Sequence, residues 1–506
     1  MPTATASAYD QLTARLHDRA VVDSIGTLLS WDQETKMPPK ASGYRAKQLA
    51  MMSRMEHERA TDPALGDLLA ACAEDSDVQG DPVKATNVRE ARKDYDRATK
   101  LPTELVVEMT ETSSLAMDAW KTARAKSDFK EFQPWLEKHV TLNRRKAECY
   151  GIPEGGELYD ALLEDYETGM RAAQVESLFK PLRERLTPLI AAIADKPAIE
   201  NAADGRACPI PVQREFLNEI AGALGYDLDG GRLDPTTHPF CQTMGPKDVR
   251  ITTRYDANNF LDALQTTLHE AGHAMYEQGL ETDTYFGEPR ATAASLGIHE
   301  SQSRMWENQV GRSEAFWAWA LPIAKKHFSA AMDGLTVESL HRSSNIVKPH
   351  FIRVESDEAT YNLHIMLRFD IERLMLSGDL AVADVPAWWN DRMKTDLGLD
   401  VPDDRRGCLQ DVHWSMGAMG YFPTYTLGNL YCGQFWDTVN AELPNLDASF
   451  AAGDFAPLLA WLRDKVHTPG RTYAPQDLCE RITGKPLSHE PLCNYLESKL
   501  TEMYNL

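Results

Sequence analysis

The chain has 506 residues, of which 43% are apolar and 25% are charged. This balance is typical of a folded globular protein and argues against disorder on a large scale. The 53 basic and 76 acidic residues give a formal net charge of −23. Such a surface repels a phosphate backbone, and the sequence has no Lys/Arg-rich run, so we expect no nucleic-acid partner.

The sequence carries neither a membrane-span pattern nor an export-signal pattern. Its longest apolar stretches, such as FWAWALPIA at 316–324, are far shorter than the roughly 20 residues that a membrane span needs. The first 20 residues lack a basic leader followed by an apolar stretch. The eight cysteines form no C-x-x-C pair, so neither a disulfide framework nor a thiolate zinc site is indicated. We therefore expect a cytoplasmic protein with reduced thiols and no membrane partner.

In chain order, the first 195 residues are predicted to form successive helices. Apolar residues recur at three-and-four spacing in the segments 8–33, 104–126 and 172–194, which is the periodicity of an amphipathic helix. Pro- and Gly-rich clusters separate these segments and are typical of the turns between helices. The N-terminal part of the chain is therefore expected to be α-helical.

The composition changes in residues 196–258, which are rich in turn-forming residues and contain one short helical piece. Within them, DVRITTRY (248–255) alternates apolar and polar side chains, which is the period of a half-buried strand. Helical periodicity resumes near Asn259 and continues to the C terminus. The fold class is thus predicted to be mostly α, with a small antiparallel β element near residues 230–256.

The length of the chain exceeds the size at which a single compact core usually stops growing. One expected arrangement is an elongated helical body with a groove, acting as a single unit over residues 1–506. The alternative is a two-lobed chain. Its helical lobes, 1–195 and 259–506, would then flank the turn-rich and β segment, 196–258.

The segment TTLHEAGHAMYEQG (266–279) places two histidines four residues apart, with a glutamate directly after the first. Apolar positions from Leu261 to Met275 step by three and four and form one stripe of a helix. At about 100° per residue, His269 and His273 lie together on one face, roughly 100° or more from that stripe. The alternative is a solvated or hydrogen-bonded pair, but this spacing beside an apolar stripe favours two metal ligands.

A catalytic zinc site generally takes three protein ligands and leaves one position for water. The helical segment SLGIHESQSRMWENQVG (295–311) carries Glu300, which follows His273 by 27 positions. That length allows the chain to leave one helix, turn and return antiparallel, so Glu300 is the candidate third ligand. The alternative is that Glu300 forms a surface ion pair with Arg304, one helical turn later.

Four motifs resemble those of the thermostable, Taq-type metallocarboxypeptidases, peptidase family M32, in their order and spacing: HPF (238–240), DVRIT (248–252), HEAGH (269–273) and HESQ (299–302). Further segments also resemble that family, and the resemblance extends over nearly the whole chain: SWDQETKMPP (30–39), YDALLEDYE (159–167), IRVESDEATYNLH (352–364) and DVHWSMGAMGYFPTYTLGNLY (411–431). The resemblance implies an elongated helical zinc-peptidase body with a deep central groove. It also implies Glu300 as the third ligand, a homodimer, and the ability to use Co²⁺ in place of Zn²⁺.

Glu270 is the candidate general base. Bound zinc lowers the pKa of its water to about 7 and so provides a nucleophile near neutral pH. Because Glu270 follows His269 directly, its carboxylate points about 100° around the helix, beside the coordination sphere of the metal. From there it is expected to accept the proton of the water and pass it to the leaving amine. The alternative is that Glu270 is an exposed mid-helix glutamate, and this interpretation becomes weak once the two histidines are metal ligands.

The segment HWSMGAMGYFPTY (413–425) is the candidate source of groups that stabilise the carbonyl oxygen as it becomes an oxyanion. By resemblance to helical zinc peptidases, a tyrosine and a histidine from such a Gly-rich loop would face the metal. We assign these catalytic roles to Tyr421 and His413, and place Tyr425 among the substrate-binding residues. Taken alone, an aromatic-rich segment of this kind is usually core packing.

An enzyme that acts at a peptide C terminus must recognise a free carboxylate, which arginine binds through its bidentate fork. Arg353 is our first candidate for this anchor and Arg250 the second. Arg304 is expected either to orient Glu300 through an ion pair or to line the pocket and disfavour basic C-terminal residues. His238 is expected to border the groove, and the strand at 248–255 is a candidate partner for extended peptide backbone.

These inferences predict a metal-dependent carboxypeptidase of broad specificity that releases C-terminal amino acids from peptide substrates. An endo-acting zinc oligopeptidase of similar helical build is the nearest alternative, since it would use the same metal site. A non-catalytic binding protein with a structural zinc is the other alternative. It fits less well, because structural sites normally have four protein ligands.

Overall fold

The computed structural model describes residues 6–506, so the first five residues of the segment that we searched for an export signal lie outside it. The N-terminal part is all helical, as the three-and-four spacing predicts. Its first helix is stabilised by a capping box, in which Ser7 accepts a hydrogen bond from the Asp10 amide. The helices are Ala8–Thr35 (α1), Ser42–Ala60 (α2), Pro63–Glu74 (α3), Ser76–Gln79 (α4), Pro82–Lys100 (α5), Thr103–Lys126 (α6), Phe129–Tyr150 (α7), Leu158–Leu163 (α8) and Ala172–Ala194 (α9).

A three-stranded sheet follows one further helix, Ile210–Leu224 (α10). The strands are Gly231–Pro235 (β1), Cys241–Gly245 (β2) and Asp248–Thr253 (β3), in the order β1-β3-β2. β2 pairs with β3 antiparallel, whereas β1 pairs with β3 parallel. The sheet lies where the sequence predicts a small β element, and only one of its two pairings is antiparallel.

The central position of β3 corrects one prediction about substrate binding. Its two edges are hydrogen-bonded to β1 and β2, so its backbone groups are already paired. The prediction that the strand at 248–255 pairs with extended peptide is therefore wrong for β3. The alternation of apolar and polar residues in β3 arises because the side chains of Val249 and Ile251 are buried in the core.

The rest of the chain is helical, as predicted from Asn259 onward. Asn259 itself caps the next helix by accepting a hydrogen bond from the Asp262 amide at 3.2 Å. A π-helical segment, Met305–Val310, continues α13. The helices are Phe260–Gly279 (α11), Thr282–Tyr285 (α12), Leu296–Arg304 (α13), Glu314–Phe328 (α14), Val337–Ser344 (α15), Thr360–Ser377 (α16), Val385–Leu397 (α17), Pro423–Glu442 (α18), Leu446–Ala451 (α19), Ala456–Leu462 (α20), Pro475–Thr483 (α21) and Glu490–Tyr504 (α22).

The buried apolar residues form one large cluster and one small cluster. The large cluster runs from Ala116 in α6 to Tyr504 in α22 and includes the predicted apolar stripe of α11. The small cluster joins α1 to α3, α4 and α5 through residues such as Leu12 and Leu69. All eight cysteines are free thiols. Among residues 6–506, the helices are too short or too polar to cross a bilayer.

Candidate metal centre and active site

Two helices supply the side chains of the candidate metal centre. His269 and His273 lie one turn apart on α11, and Glu300 lies on α13. The Glu300 Oε2 atom is 3.7 Å from the Nε2 atom of His269 and 3.4 Å from that of His273. One ligand atom from each residue lies within 4.8 Å of the other two. Two imidazole nitrogens and one carboxylate oxygen are ligands that suit a divalent transition metal, so this donor set fits the expected ion.

Two glycines allow the helices around this centre to approach one another. A Cβ atom on Gly272 of α11 would lie 2.7 Å from the backbone of Gln302 and Ser303 in α13. A Cβ atom on Gly428 of α18 would lie 2.6 Å from the Glu300 side chain. Any larger residue would push the helices apart, so these glycines allow both α11 and α18 to pack closely against α13.

Arg304 and Glu307 surround the third ligand with charge. Arg304 donates from Nε to the Glu300 Oε1 atom at 2.7 Å and from Nη1 to Glu307 Oε2 at 3.0 Å. Burial opposes ionisation of Glu300, but Arg304 and the two ligand histidines hold its pKa well below the usual range. Glu300 is therefore a carboxylate and available to bind a cation.

Both candidate ligand histidines turn their Nε2 atoms toward Glu300 and have a polar partner on Nδ1. His269 donates from Nδ1 to Glu307 Oε2 at 2.9 Å, and His273 Nδ1 lies 2.5 Å from His299 Nδ1. Burial lowers the pKa of His273 to about 3, which keeps this imidazole in the neutral form that binds metals. Burial also acts to lower the pKa of His269, but Glu300 and Glu307 outweigh it and raise that pKa.

Glu270 is buried beside the ligands without belonging to the ligand set. Its side chain follows His269 on α11, and only 6% of the residue is exposed. Burial, reinforced by the nearby Glu300 carboxylate, raises the pKa of Glu270 to about 7. A carboxyl with that pKa can both accept and release a proton near neutral pH, as a general base requires.

The aromatic segment after residue 413 packs into a cluster next to Glu300. His413 begins a short 3₁₀ turn, and its Nε2 atom lies 3.3 Å from the hydroxyl of Tyr425. The Tyr421 ring centroid lies 5.3 Å from that of His413 and 5.4 Å from that of Tyr425. Tyr425 precedes Gly428 by about one turn of α18, so the close approach of Gly428 to Glu300 brings this cluster to the metal centre.

Arg353 lies in a buried ion-pair network at the other side of the cluster. It donates from Nε at 3.0 Å and from Nη2 at 2.8 Å to Asp411 Oδ1, and from Nη1 to the Tyr361 hydroxyl at 2.6 Å. Arg368 donates to the second oxygen of Asp411 at 2.6 Å. The guanidinium of Arg353 also faces the Tyr425 ring, 4.9 Å from its centroid. Two arginines share one aspartate, so the network carries a net positive charge.

The other two predicted substrate-binding residues lie in or beside the sheet. Arg250 pairs through Nε and Nη2 with both oxygens of Asp248, each at 2.7 Å, and lies over the Trp31 ring of α1. His238 is exposed in the connection between β1 and β2. Neither residue contacts the three candidate ligands. Arg304 pairs with Glu300 and lies over the Tyr361 ring, and Arg353 donates to the Tyr361 hydroxyl. The structure therefore brings Arg304 and Arg353, but not Arg250, close to the candidate metal centre.

Several polar residues of this region were not predicted from the sequence. The spacing of Glu300, Arg304 and Glu307, four and then three residues apart, could have indicated that all three share one helix face. Asp411 comes from a segment 58 residues after Arg353, and Tyr361 follows Arg353 by eight residues across the start of a helix, so no regular spacing links either residue to Arg353. Glu372 is a further buried carboxylate, and no motif or spacing in the sequence distinguishes it from other glutamates.

Glu372 holds the segment that carries the aromatic cluster. Its carboxylate accepts hydrogen bonds from Tyr159 at 2.8 Å, from the Trp414 indole at 2.9 Å and from the Gly420 amide at 3.0 Å. Trp414 and Gly420 are the first and last residues of the loop that connects His413 to Tyr421. Burial raises the pKa of Glu372 to about 7 despite these three donors.

Glu372 gives a testable pH dependence of stability. Its folded-state pKa exceeds the unfolded value, so the folded chain retains a proton that the unfolded chain loses between pH 4.5 and 7. Stability is therefore lost as pH rises through that window, by about 3 kcal/mol in total for this one group. We expect Glu372→Gln to remove this loss, with denaturant unfolding at pH 5, 6, 7 and 8 as the measurement. A difference between variant and wild type that stays constant with pH would exclude this role.

Comparison with known proteins identifies the family. The sequence profile of the family described as Carboxypeptidase Taq (M32) metallopeptidase matches residues 11–500. The chain belongs to this family. Thermostable carboxypeptidase 1 of Thermus thermophilus is 44% identical over 510 residues, which cover 98% of this chain and 99% of that protein. Carboxypeptidase 1 of Bacillus subtilis is 37% identical, with 95% of each chain covered.

Solved structures agree with the sequence relatives. The crystal structure of the M32 carboxypeptidase from Deinococcus radiodurans R1 superposes with a TM-score of 0.96 at 40% identity, covering 99% of this chain and 100% of that one. The predicted resemblance is therefore confirmed, and the chain is a metallocarboxypeptidase that releases C-terminal residues from peptides. This assignment decides against the endo-acting oligopeptidase and the non-catalytic zinc protein.

Proposed function

We propose that the resident metal is zinc, held by His269, His273 and Glu300. The observation that carries this proposal is the convergence of two imidazole nitrogens and one carboxylate oxygen within 4.8 Å. Three protein ligands are typical of a catalytic site, which keeps a fourth position open. When bound, zinc supplies a Lewis acid and lowers the pKa of a coordinated water to about 7. Cobalt suits the same ligands and is the second candidate.

Glu270 is the general base in this proposal. It accepts a proton from the attacking water and delivers it to the nitrogen of the departing amino acid. Its burial and its pKa of about 7 support both transfers, because neither protonation state is strongly favoured near neutral pH. Its position directly after His269 keeps the carboxylate beside the ligands.

Tyr421 and His413 stabilise the negative charge that develops on the scissile carbonyl oxygen, and Tyr425 helps to bind the substrate. Burial lowers the pKa of His413 to about 4, so its imidazole is neutral and can donate one hydrogen bond. Burial raises the pKa of Tyr421, which keeps its phenol protonated and able to donate. The contact of Gly428 with Glu300 supports these roles, since α18 then carries the cluster to the metal centre.

Arg353 is the proposed anchor for the C-terminal carboxylate, with Arg250 as the alternative. The excess positive charge of the Arg353, Arg368 and Asp411 network favours an anion at this position. Arg304 is the proposed positioning group for Glu300, because both ends of its guanidinium are already paired with carboxylates. His238 stays a candidate for the border of the groove.

Arg353→Met is expected to remove the preference for a free C terminus. Loss of a charge-assisted hydrogen bond should lower kcat/KM for an unblocked peptide about 10- to 100-fold and leave an amidated peptide unaffected. The measurement is kcat/KM on an unblocked peptide and its amidated twin, made in parallel for Arg353→Met and for Arg250→Met, the variant of the alternative anchor. Lost preference in Arg250→Met alone would make Arg250 the anchor. Retained preference in both variants would exclude both arginines.

We further propose that residues 1–506 act as a single catalytic unit with a central groove, and that two copies form a homodimer. The large core cluster supports the single unit, because it includes residues from helices that precede the sheet in the sequence and from helices that follow it. The homodimer is supported by the family resemblance. Light scattering at micromolar concentration distinguishes a dimer from a monomer of 56.7 kDa.

Product identification by mass spectrometry tests the proposed function as a whole. A mixed set of unblocked peptides should lose residues one at a time from the C terminus, and a chelator should stop the reaction. Zinc added after removal of the chelator should restore it. Internal fragments, or equal turnover in chelator, would contradict the proposal.

A further inference from the structure

His273 has an unusual partner behind the metal centre, a second imidazole. His273 Nδ1 lies 2.5 Å from His299 Nδ1, and His299 Nε2 lies 2.8 Å from Glu277 Oε1. The other oxygen of Glu277 accepts a hydrogen bond from Thr243 Oγ1 of β2 at 2.8 Å. A chain of three hydrogen bonds therefore runs from the ligand histidine through His299 and Glu277 to the sheet.

The ring of His299 is held in this position by packing. Its centroid lies 4.5 Å from that of His273 and 5.3 Å from that of Tyr276. The side chains of His299 and Glu277 are each 18% exposed. Tyr276 is itself fixed, because its hydroxyl accepts a hydrogen bond from the Ala294 amide at 3.1 Å. His299 therefore has little freedom to turn away from His273.

The contacts of Glu277 determine which nitrogen atoms of the two rings carry protons. Glu277 faces His299 Nε2 with one oxygen and accepts a hydrogen bond from the Thr243 hydroxyl with the other, so Glu277 is the acceptor in both contacts. His299 must then carry its proton on Nε2, which leaves a lone pair on Nδ1. His273 donates to that lone pair from its own Nδ1, and its Nε2 atom is left with the lone pair that a metal needs.

We propose that His299, held by Glu277, is a positioning residue that fixes the tautomer and the orientation of His273 for metal binding. The proposal rests on the proposed function, because it concerns the same metal site. The other ligand, His269, has a direct carboxylate partner in Glu307. The two ligand histidines are thus oriented by different groups. His269 is oriented by a carboxylate, whereas His273 is oriented by an imidazole that is itself hydrogen-bonded to a carboxylate.

Replacement of His299 by Leu and by Asn tests the proposal. Leu removes the acceptor that faces His273, whereas the amide oxygen of Asn can take the place of Nδ1. We expect His299→Leu to weaken zinc binding about 10- to 100-fold and His299→Asn to recover most of the loss. The measurement is the zinc dissociation constant, obtained by competition with a chromogenic chelator. At saturating zinc, peptide hydrolysis by His299→Leu should return toward the wild-type rate.

His467→Leu is the matched control. His467 is also a buried imidazole next to Tyr276, 5.1 Å between ring centroids, and its Nε2 atom lies 3.0 Å from Gln302 Oε1. It contacts none of the three ligands, so His467→Leu should bind zinc as tightly as the wild type. Equal weakening in His467→Leu and His299→Leu would mean that loss of packing, not loss of the hydrogen bond, is responsible, and would overturn the proposal.

A second pair of variants keeps the test valid if His299→Leu does not fold. Glu277→Leu removes the acceptor that sets the tautomer of His299, whereas Glu277→Gln can still accept through its amide oxygen and donate to Thr243. Zinc binding should fall in the first and persist in the second. Unchanged zinc binding in both His299→Leu and Glu277→Leu would overturn this inference alone. Absence of zinc binding in the wild type would instead contradict the proposed function.

Discussion

Glu270→Gln is expected to leave the metal bound and to lower kcat about 10³-fold, within the range for loss of a general base. Gln has the size of Glu, so α11 and its two ligand histidines stay in place. The amide cannot accept the proton of the attacking water and release it to the leaving amine. The measurements are the zinc content of the purified variant and its kcat on an unblocked peptide.

Asp262→Asn is the matched control for this prediction. Asp262 is a carboxylate on the same helix, paired with Arg254 at 3.0 Å and remote from the ligands. The control should keep both its zinc and its turnover. If Glu270→Gln turns over peptide at a rate close to that of the wild type, the assignment of Glu270 as the base is wrong.

Glu300→Gln is also expected to lower peptide hydrolysis strongly, but through loss of the metal and not through loss of the general base. Replacement of an outer partner of a ligand typically costs 10- to 100-fold in metal affinity, so loss of a ligand carboxylate should weaken zinc binding more than about 100-fold. Peptide hydrolysis should then fall to background at low zinc concentration. Gln keeps the contact with Gly428, so the packing of α18 on α13 is preserved.

The measurement for Glu300→Gln is a zinc titration followed by both calorimetry and peptide hydrolysis. Glu314→Gln, an exposed glutamate at the start of α14, controls for the loss of one negative charge from this part of the chain. Zinc affinity equal to that of the wild type in Glu300→Gln would show that a different residue completes the site.

The histidine pair could be predicted from the sequence because its geometry is local. A spacing of four residues places two side chains on one face of any α-helix, and the apolar stripe from Leu261 to Met275 fixes which face is buried. The apolar stripe is buried in the structure, which confirms the prediction of the buried helix face. Glu300 lies on another helix, so spacing alone left it open, and the resemblance to the family was needed to select it.

The pairing of the strands could not be read from the sequence. Alternation of apolar and polar residues indicates that one face of a strand is buried, but it says nothing about its neighbours. Alternation alone is therefore compatible with pairing between this strand and an extended peptide, whereas β1 and β2 occupy both edges of β3. The parallel pairing of β1 and β3 was missed for the same reason.

The contacts that surround the candidate metal ligands also could not be predicted from local sequence patterns. Asp411 follows Arg353 by 58 residues, and Glu372 accepts hydrogen bonds from two separate segments, one carrying Tyr159 and the other carrying Trp414 and Gly420. His299 stands directly before Glu300 in the sequence, yet its contact with His273 depends on how α13 packs against α11. Such pairs arise from tertiary packing, and only the folded structure reveals them.

Anomalous diffraction from crystals grown with zinc tests the central claim most directly, namely that one divalent ion is bound by His269, His273 and Glu300. A single strong peak is expected about 2.0–2.2 Å from the Nε2 atoms of both histidines and from a carboxylate oxygen of Glu300. A strongest peak elsewhere in the protein, or ligand side chains turned away from one another in the presence of zinc, would contradict the claim.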